Sequence, residues 1–243
     1  MKHAAVLLLS LLFALPASAG DKDRARRLTF LYGGRSRTYY CLIPSRAAPD
    51  APLPAVVLLH GSGLNGSEMT GAWRGIASRD GFMLVAPNSL DSAVWNLEND
   101  SPAFLHAAVA QAAAQHPIDP RRVYLFGNSG GASYALVLAL IDSDYFAAVG
   151  AHAGLLDPAN NPLFADARRK VPIALWVGNL DPGLPVSTVT ATRDDFAAHG
   201  FPVQLTIIPD HGHFYGQVSE QVNRAAWAFF SKTRLPRASP VNP

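Results

Sequence analysis

Cysteine is nearly missing from this chain, since Cys41 is the only one among 243 residues. A lone thiol cannot form an intramolecular disulfide, which excludes a fold stapled by disulfides within the chain. Cys41 lies in the apolar, strand-like stretch 39–43. We expect it to be a buried structural thiol and not a nucleophile.

An excess of charge is also missing, because 20 lysines and arginines are balanced by 18 aspartates and glutamates, which leaves a formal charge of +2. Such a balance gives no indication of nucleic acid or of an anionic membrane as a partner. After the N-terminal segment, no stretch is long and apolar enough to span a membrane. With 49% apolar residues, the chain has ample material for one core, and its length suits one domain.

The N-terminus has the pattern of a secretory signal peptide. Lys2 lies in a short polar segment, and the apolar run 4–15 that follows is too short to span a bilayer well. Residues 17–19 are Ala-Ser-Ala, the small residues of a cleavage site. We therefore predict a signal peptide at residues 1–19, cleavage after Ala19, and a secreted or periplasmic product.

Strand-like and helix-like segments alternate through the rest of the chain, which predicts an α/β fold with a mostly parallel sheet and helices on both faces. An antiparallel hairpin around Gly33 and Gly34 is expected at its start. Only a short insert separates the strands near 151 and 173, so we expect no large cap domain. We predict one catalytic domain over residues 20–231 and a flexible tail over 232–243. The predicted strands are 55–60, 82–86, 123–126, 147–151, 173–177 and 203–208, and the predicted helices are 67–79, 103–116, 132–141, 192–199 and 217–231.

The most informative motif is Gly127-Asn128-Ser129-Gly130-Gly131, which lies between a β-rich run and a helix-compatible run. A G-x-S-x-G sequence between a strand and a helix is typical of the nucleophile elbow of α/β-hydrolases. The glycines lack a Cβ, so the chain can turn sharply and leave the serine hydroxyl exposed. Ser129 is the predicted nucleophile, and an ordinary serine in a glycine-rich turn is the alternative.

A serine hydroxyl needs a base to take its proton and a carboxylate to orient that base. Ligands of open parallel sheets bind at the carboxyl ends of the strands. Ser129, Asp181 and His213 follow predicted strands there, in the chain order Ser, Asp, His that α/β-hydrolases use. We predict that Asp181 is the acid and His213 the base.

Neighbouring residues leave alternatives open. Asp157 is a second candidate for the acid, and Asp181 could simply form an Asp-Pro turn. His211 is a second candidate for the base. His211 and His213 could also form a partial metal site with Asp210, although no third or fourth ligand is evident beyond them.

Two further positions are expected to contact the substrate. The turn after the first buried strand is His60-Gly61-Ser62-Gly63, and the Ser62 N–H is predicted to form an oxyanion hole with the Gly130 N–H. We expect His60 to be structural. Trp95, on a loop, is predicted to stack on a substrate ring, with a packing role as the alternative.

From about Tyr39 to Tyr215 the chain resembles the secreted esterases grouped with polyhydroxybutyrate depolymerases and with feruloyl or acetylxylan esterases. The sequences that carry the resemblance are Arg37-Thr38-Tyr39-Tyr40, Leu59-His60-Gly61, Ala77-Ser78-Arg79-Asp80-Gly81-Phe82, Ala86-Pro87, Ile118-Asp119-Pro120-Arg121-Arg122-Val123-Tyr124, the elbow, and Gly212-His213. The resemblance implies an α/β-hydrolase fold. It also implies the nucleophile, acid and base roles for Ser129, Asp181 and His213, the oxyanion role for Ser62 and Gly130, and a site near Trp95.

The expected activity is hydrolysis of carboxylic esters through an acyl-enzyme, without a cofactor or metal. The expected substrates are feruloyl or acetyl esters, small or polymeric. A polyhydroxyalkanoate depolymerase is the nearest alternative. A serine peptidase and an inert binding protein with the same fold are further alternatives.

Overall fold

The computed structural model describes residues 23–236, so the predicted signal peptide lies outside the described residues. The strands are β1 (Arg26–Tyr32), β2 (Arg35–Leu42), β3 (Leu53–Leu59), β4 (Met83–Pro87), β5 (Ile118–Asn128), β6 (Val149–His152), β7 (Ile173–Gly178) and β8 (Val203–Ile208). The helices are α1 (Gly66–Asp80), α2 (Pro102–Ala113), α3 (Gly130–Ile141), α4 (Val186–Ala198) and α5 (Ser219–Phe230).

These strands form a single sheet with the order β1-β2-β4-β3-β5-β6-β7-β8. β1 pairs antiparallel with β2, and β2 pairs antiparallel with β4. Every other neighbouring pair is parallel. The hairpin between β1 and β2 turns at Gly33 and Gly34, which both have positive φ. The predicted α/β fold class with an N-terminal antiparallel hairpin is confirmed.

Helices cover both faces of the sheet, which explains the continuous apolar runs of the central strands. Successive side chains of a strand point to opposite faces. Val56 and Leu58 of β3 therefore lie in the core layer that includes α1 and α5, whereas Val57 and Leu59 lie in the layer that includes α2, α3 and α4. Both layers are buried, so each face of the sheet contributes to the core.

Cys41 is buried on β2 at 3% exposure, as expected of a structural thiol. Burial raises the pKa of its thiol to about 12. The side chain therefore stays protonated and unreactive at neutral pH.

Helix α4 begins at Val186, whereas the sequence predicted a start at Thr192. Its first turns are rich in β-branched residues, which have low helix propensity. Val189, Thr192 and Phe196 nevertheless lie on one buried face. Packing of that face on the sheet outweighs the local preference.

The segment between β6 and β7 contains a 3-10 helix, Pro158–Ala165, in place of a large cap. The first residues of the predicted tail are hydrogen-bonded to β5. The Tyr124 hydroxyl donates to the Thr233 carbonyl at 2.8 Å, and the Leu235 N–H donates to the Arg121 carbonyl at 2.9 Å. Residues 237–243 lie outside the described part of the chain. Across residues 23–236, no helix has the length and apolarity needed to cross a membrane.

Candidate active site

The elbow holds Ser129 in a strained backbone conformation between β5 and α3. Its φ of 53° and ψ of −119° are unusual for a residue with a Cβ. The main chain is packed too tightly here for side chains. A Cβ on Gly127 would lie 2.2 Å from the Gly131 carbonyl oxygen, and one on Gly131 would lie 2.5 Å from the His60 carbonyl oxygen. The Ser129 N–H donates to the His152 carbonyl at 2.9 Å, which ties the elbow to β6.

The structure brings the three predicted catalytic residues together at the carboxyl ends of the strands. Ser129 follows β5, Asp181 follows β7 and His213 follows β8. Ser129 Oγ lies 2.9 Å from His213 Nε2, and His213 Nδ1 lies 2.6 Å from Asp181 Oδ2. This chain of hydrogen bonds has the geometry required to move a proton from the hydroxyl to the imidazole.

The Asp181 carboxylate is fully buried, and both of its oxygens are used. Oδ1 accepts the N–H groups of Gly183 and Leu184, each at 2.9 Å, while Oδ2 accepts from His213. The Asp-Pro turn is therefore present, and it orients the carboxylate toward the histidine. With the proton on Nδ1, the other ring nitrogen of His213 is free to accept the Ser129 hydroxyl proton.

The alternative acid and base lie elsewhere. Asp157 accepts the Ala159 N–H at 2.9 Å and caps the 3-10 helix. His211 is 3% exposed, and its ring packs against that of His152, with centroids 5.7 Å apart. Within residues 23–236, no group of three or more histidine, cysteine, aspartate or glutamate side chains is arranged to hold a metal ion.

His152 lies directly beneath the elbow, and its side chain is fully buried. Burial and the nearby rings of His211 and His213 lower its pKa to about 3, so it is neutral at ordinary pH. Its Nδ1 bonds to Asn128 Oδ1 at 2.9 Å. His152 is therefore a local hydrogen-bonding residue that holds the side chain of Asn128, the residue before Ser129.

The residues of the two predicted oxyanion donors, Ser62 and Gly130, lie close together beside Ser129. A Cβ on Gly130 would lie 2.7 Å from Ser62 Oγ and 3.6 Å from Ser62 N. Gly130 is the first residue of α3, so its N–H has no acceptor within the helix. The Ser62 N–H likewise has no acceptor among the described residues. The Gly130 N–H at the N-terminus of α3 and the Ser62 N–H in the neighbouring turn are together suited to bind a negatively charged oxygen.

Trp95 does not lie where the sequence suggested. Its side chain is 7% exposed, and its indole Nε1 donates to the His60 carbonyl at 2.9 Å. The indole ring stacks on Tyr134 with an interplanar angle of 15°. It is absent from the lining of both cavities beside Ser129. The packing role is therefore the one that the structure supports.

An apolar cleft of about 360 Å³ opens on one side of Ser129. Its apolar walls are Leu64, Met69, Ala72, Phe214 and Tyr215. Phe214, the residue after His213, is 70% exposed and lines this cleft. Leu64 and Met69 were not identified as cleft residues from the sequence. The spacing of apolar residues along a sequence does not indicate which side chains of a loop or a helix point into a cleft.

A shallower depression of about 480 Å³ lies on the other side of Ser129. It is bounded by Ser133, Ala153, Pro182 and Leu184. The nucleophile thus lies between two open spaces, and each could accept one of the two groups that flank an ester bond.

The strand order, the elbow and the Ser–His–Asp geometry define an α/β-hydrolase. Residues 37–206 match the family model described as esterase PHB depolymerase. The chain therefore belongs to this family of esterase-type α/β-hydrolases. No curated protein matches its sequence significantly.

Solved structures of esterases share the fold. A thermostable esterase matches with a TM-score of 0.68 and 20% identity over 86% of this chain, which spans only 63% of that chain. Esterase PE8 matches with a TM-score of 0.62 and 26% identity, covering 79% of this chain and 96% of that chain. A ferulic acid esterase matches with a TM-score of 0.67 and 14% identity, covering 86% and 99% respectively.

Proposed function

We propose that this chain is a serine carboxylesterase that works through an acyl-enzyme. The observation that carries the proposal is the hydrogen-bonded series Ser129–His213–Asp181, with Ser129 in a strained elbow. Membership of the esterase family and the similarity to esterase PE8 support ester hydrolysis.

The proposed reaction has two halves. Ser129 Oγ attacks the ester carbonyl carbon while His213 Nε2 takes its proton, and the N–H groups of Ser62 and Gly130 bind the oxyanion. His213 then gives that proton to the departing alcohol, which leaves an acyl-enzyme. In the second half His213 takes a proton from water as the water oxygen attacks the acyl carbon. His213 then returns that proton to Ser129 Oγ as the bond between Oγ and the acyl carbon breaks, which releases the carboxylic acid and restores the hydroxyl. Asp181 stays ionised and stabilises the charged imidazole.

We propose feruloyl or acetyl esters as the substrates. The apolar cleft beside Ser129 is open at the surface, and its Phe214 and Tyr215 walls suit a flat aromatic group. A polyhydroxyalkanoate depolymerase is the second candidate. Exposed apolar side chains near the site favour it, because they suit contact with an insoluble polyester: Leu64 is 37% exposed, Leu180 62% and Phe214 70%.

The test is hydrolysis of nitrophenyl acetate and butyrate, methyl ferulate, acetylated xylan and a hydroxybutyrate oligomer. We expect turnover of at least one ester and a loss of about 1,000-fold or more in Ser129→Ala. Ser231→Ala, an exposed serine at the end of α5, is the matched control and should retain full activity. Equal activity in Ser129→Ala and wild type would contradict the serine mechanism. A folded protein inactive on all five esters would favour the binding-protein alternative.

We also propose that the chain is exported and cleaved after Ala19. The short polar start, the apolar run 4–15 and the Ala-Ser-Ala site support this. Expression of the full chain in a bacterium, followed by N-terminal sequencing of the periplasmic and secreted fractions, tests it. A mature N-terminus at Gly20 is expected, and an intact Met1 on cytoplasmic protein would contradict it.

A further inference from the structure

The imidazole of His60 has a defined tautomer. His60 follows β3, and its side chain is fully buried. Nδ1 lies 2.9 Å from the Gly61 carbonyl oxygen, which can only accept, so Nδ1 carries the proton. Nε2 accepts the Ser89 N–H at 3.2 Å and must therefore be unprotonated. Burial lowers the pKa of His60, which keeps this neutral form at ordinary pH.

The bond from His60 to Gly61 fixes the direction of a neighbouring donor. The Gly61 carbonyl and the Ser62 N–H belong to one planar peptide and point in opposite directions. Holding the carbonyl therefore aims the N–H. A second donor, the Leu64 N–H, binds the same carbonyl at 3.0 Å. The Ser62 N–H consequently points away from His60 Nδ1, and Ser62 lies beside Gly130, where an added Cβ would be 3.6 Å from Ser62 N.

The loop between β4 and α2 holds the rest of this turn. Trp95 Nε1 donates to the His60 carbonyl at 2.9 Å, and the Gly63 N–H donates to the Ser92 carbonyl at 2.8 Å. Ser89 fixes the imidazole from behind, through its own N–H. The carbonyls of His60 and Gly61 and the N–H of Gly63 are thus all hydrogen-bonded, whereas the Ser62 N–H has no acceptor among the described residues.

We propose that His60 and Trp95 are positioning residues that aim the Ser62 N–H at the oxyanion of the reaction. This inference rests on the proposed ester hydrolysis and extends it. Neither side chain touches the substrate. Their contribution is made through the backbone of the turn and should appear in the transition state, where the oxyanion carries its charge.

The first test compares His60→Leu with His60→Asn. Leucine removes the hydrogen bonds of both ring nitrogens. The asparagine amide nitrogen occupies nearly the position of Nδ1 and can donate to the Gly61 carbonyl. We expect His60→Leu to lower kcat about 100-fold, similar to loss of one oxyanion donor, with KM changed only a few-fold. We expect the kcat of His60→Asn to be at least tenfold higher than that of His60→Leu. Trp95→Phe, which removes only the indole donor and part of the ring, should lower kcat by about tenfold.

A general loss of folding would produce a different result. The matched control is His116→Leu, which also removes a buried histidine bonded to a carbonyl, that of Ala51 at 3.1 Å. His116 precedes β5, so it lies near the amino ends of the parallel strands, whereas the site lies at their carboxyl ends. We expect His116→Leu to lower thermal stability but to retain kcat in the folded enzyme.

The second test measures binding of a trifluoromethyl ketone, whose adduct with Ser129 carries an oxyanion. Its affinity should fall with kcat across the His60 and Trp95 variants. In wild type the NMR resonance of the Ser62 amide proton should move downfield when the adduct forms. This downfield shift should be smaller in each His60 or Trp95 variant that folds. Unchanged kcat and inhibitor affinity in folded His60→Leu and Trp95→Phe would overturn the inference while leaving Ser129-dependent hydrolysis intact. Absence of that hydrolysis in wild type would overturn the proposed function and this inference with it.

Discussion

The nucleophile elbow (Gly127–Gly131) and the base loop (Asp210–Phe214) meet at one hydrogen bond but are built differently. In the elbow, added Cβ atoms on Gly127 or Gly131 would lie within 2.5 Å of backbone oxygens. In the base loop, a Cβ on Gly212 would meet nothing closer than 3.8 Å. The His213 side chain is 44% exposed, whereas the backbone beneath Ser129 is buried.

The difference teaches that the glycines beside the two side chains tolerate an added methyl group differently, although the base loop also packs closely on β7, where a Cβ on Gly178 would lie 2.1 Å from the His211 carbonyl oxygen. Close packing of the main chain fixes Ser129, so the elbow cannot accept even one extra methyl group. Polar contacts of the side chain fix His213, because Asp181 and Ser129 hold its two ring nitrogens. A side chain added at the elbow glycines should therefore reduce stability and, with it, activity, whereas loss of a polar contact of His213 should reduce activity with little change in stability.

The largest effect is expected for Gly131→Ala. The new methyl group would lie 2.5 Å from the carbonyl oxygens of both Leu59 and His60, so β3 would have to move. We expect the free energy of unfolding to fall by at least about 3 kcal/mol, with loss of activity. Urea denaturation measures this change. Gly71→Ala, on the exposed face of α1 with no atom within 4 Å, should be neutral or stabilising by up to about 1 kcal/mol. Similar results for both variants would contradict the packing argument.

The next effect is expected for Asp181→Asn. The amide oxygen can still accept from Gly183 and Leu184, but the amide nitrogen would favour the wrong tautomer of His213. We expect kcat to fall about 1,000- to 10,000-fold with little change in the urea midpoint. Asp157→Asn, which changes only a helix cap, should retain wild-type kcat. If Asp157→Asn were the more damaging change, the assignment of the acid would be wrong.

The smallest effect is expected for Gly212→Ala, next to the base. The methyl group has space, and Gly212 is not among the glycines with positive φ. We expect stability to stay within about 0.5 kcal/mol and kcat within about threefold of wild type. A loss of stability as large as that of Gly131→Ala would contradict the difference in packing between the elbow and the base loop.

Much of the fold was predictable, because central strands buried on both faces leave continuous apolar runs in the sequence. Residues 55–60 and 173–177 are of this kind, and both predicted strands are present. The position of the candidate nucleophile was predictable because the elbow needs glycines at fixed positions around Ser129. Asp181 and His213 followed from strand ends and from chain order.

Other features depend on contacts that no local pattern records. Trp95 lies on a loop, and only the fold shows that its indole nitrogen meets the His60 carbonyl rather than the cleft. The early start of α4 depends on packing against the sheet, which opposes the propensity of its β-branched residues. The bound position of Leu235 depends on Arg121, which is far away in sequence.

The central claim is that Ser129 is a nucleophile activated by His213 and Asp181. The most direct measurement is mass spectrometry of the protein after reaction with a fluorophosphonate, which requires an activated serine but no particular ester. The account predicts one adduct per chain, located on Ser129, no adduct in Ser129→Ala, and much slower labelling of Asp181→Asn. Labelling of another residue, or a folded wild-type protein that does not react, would contradict it.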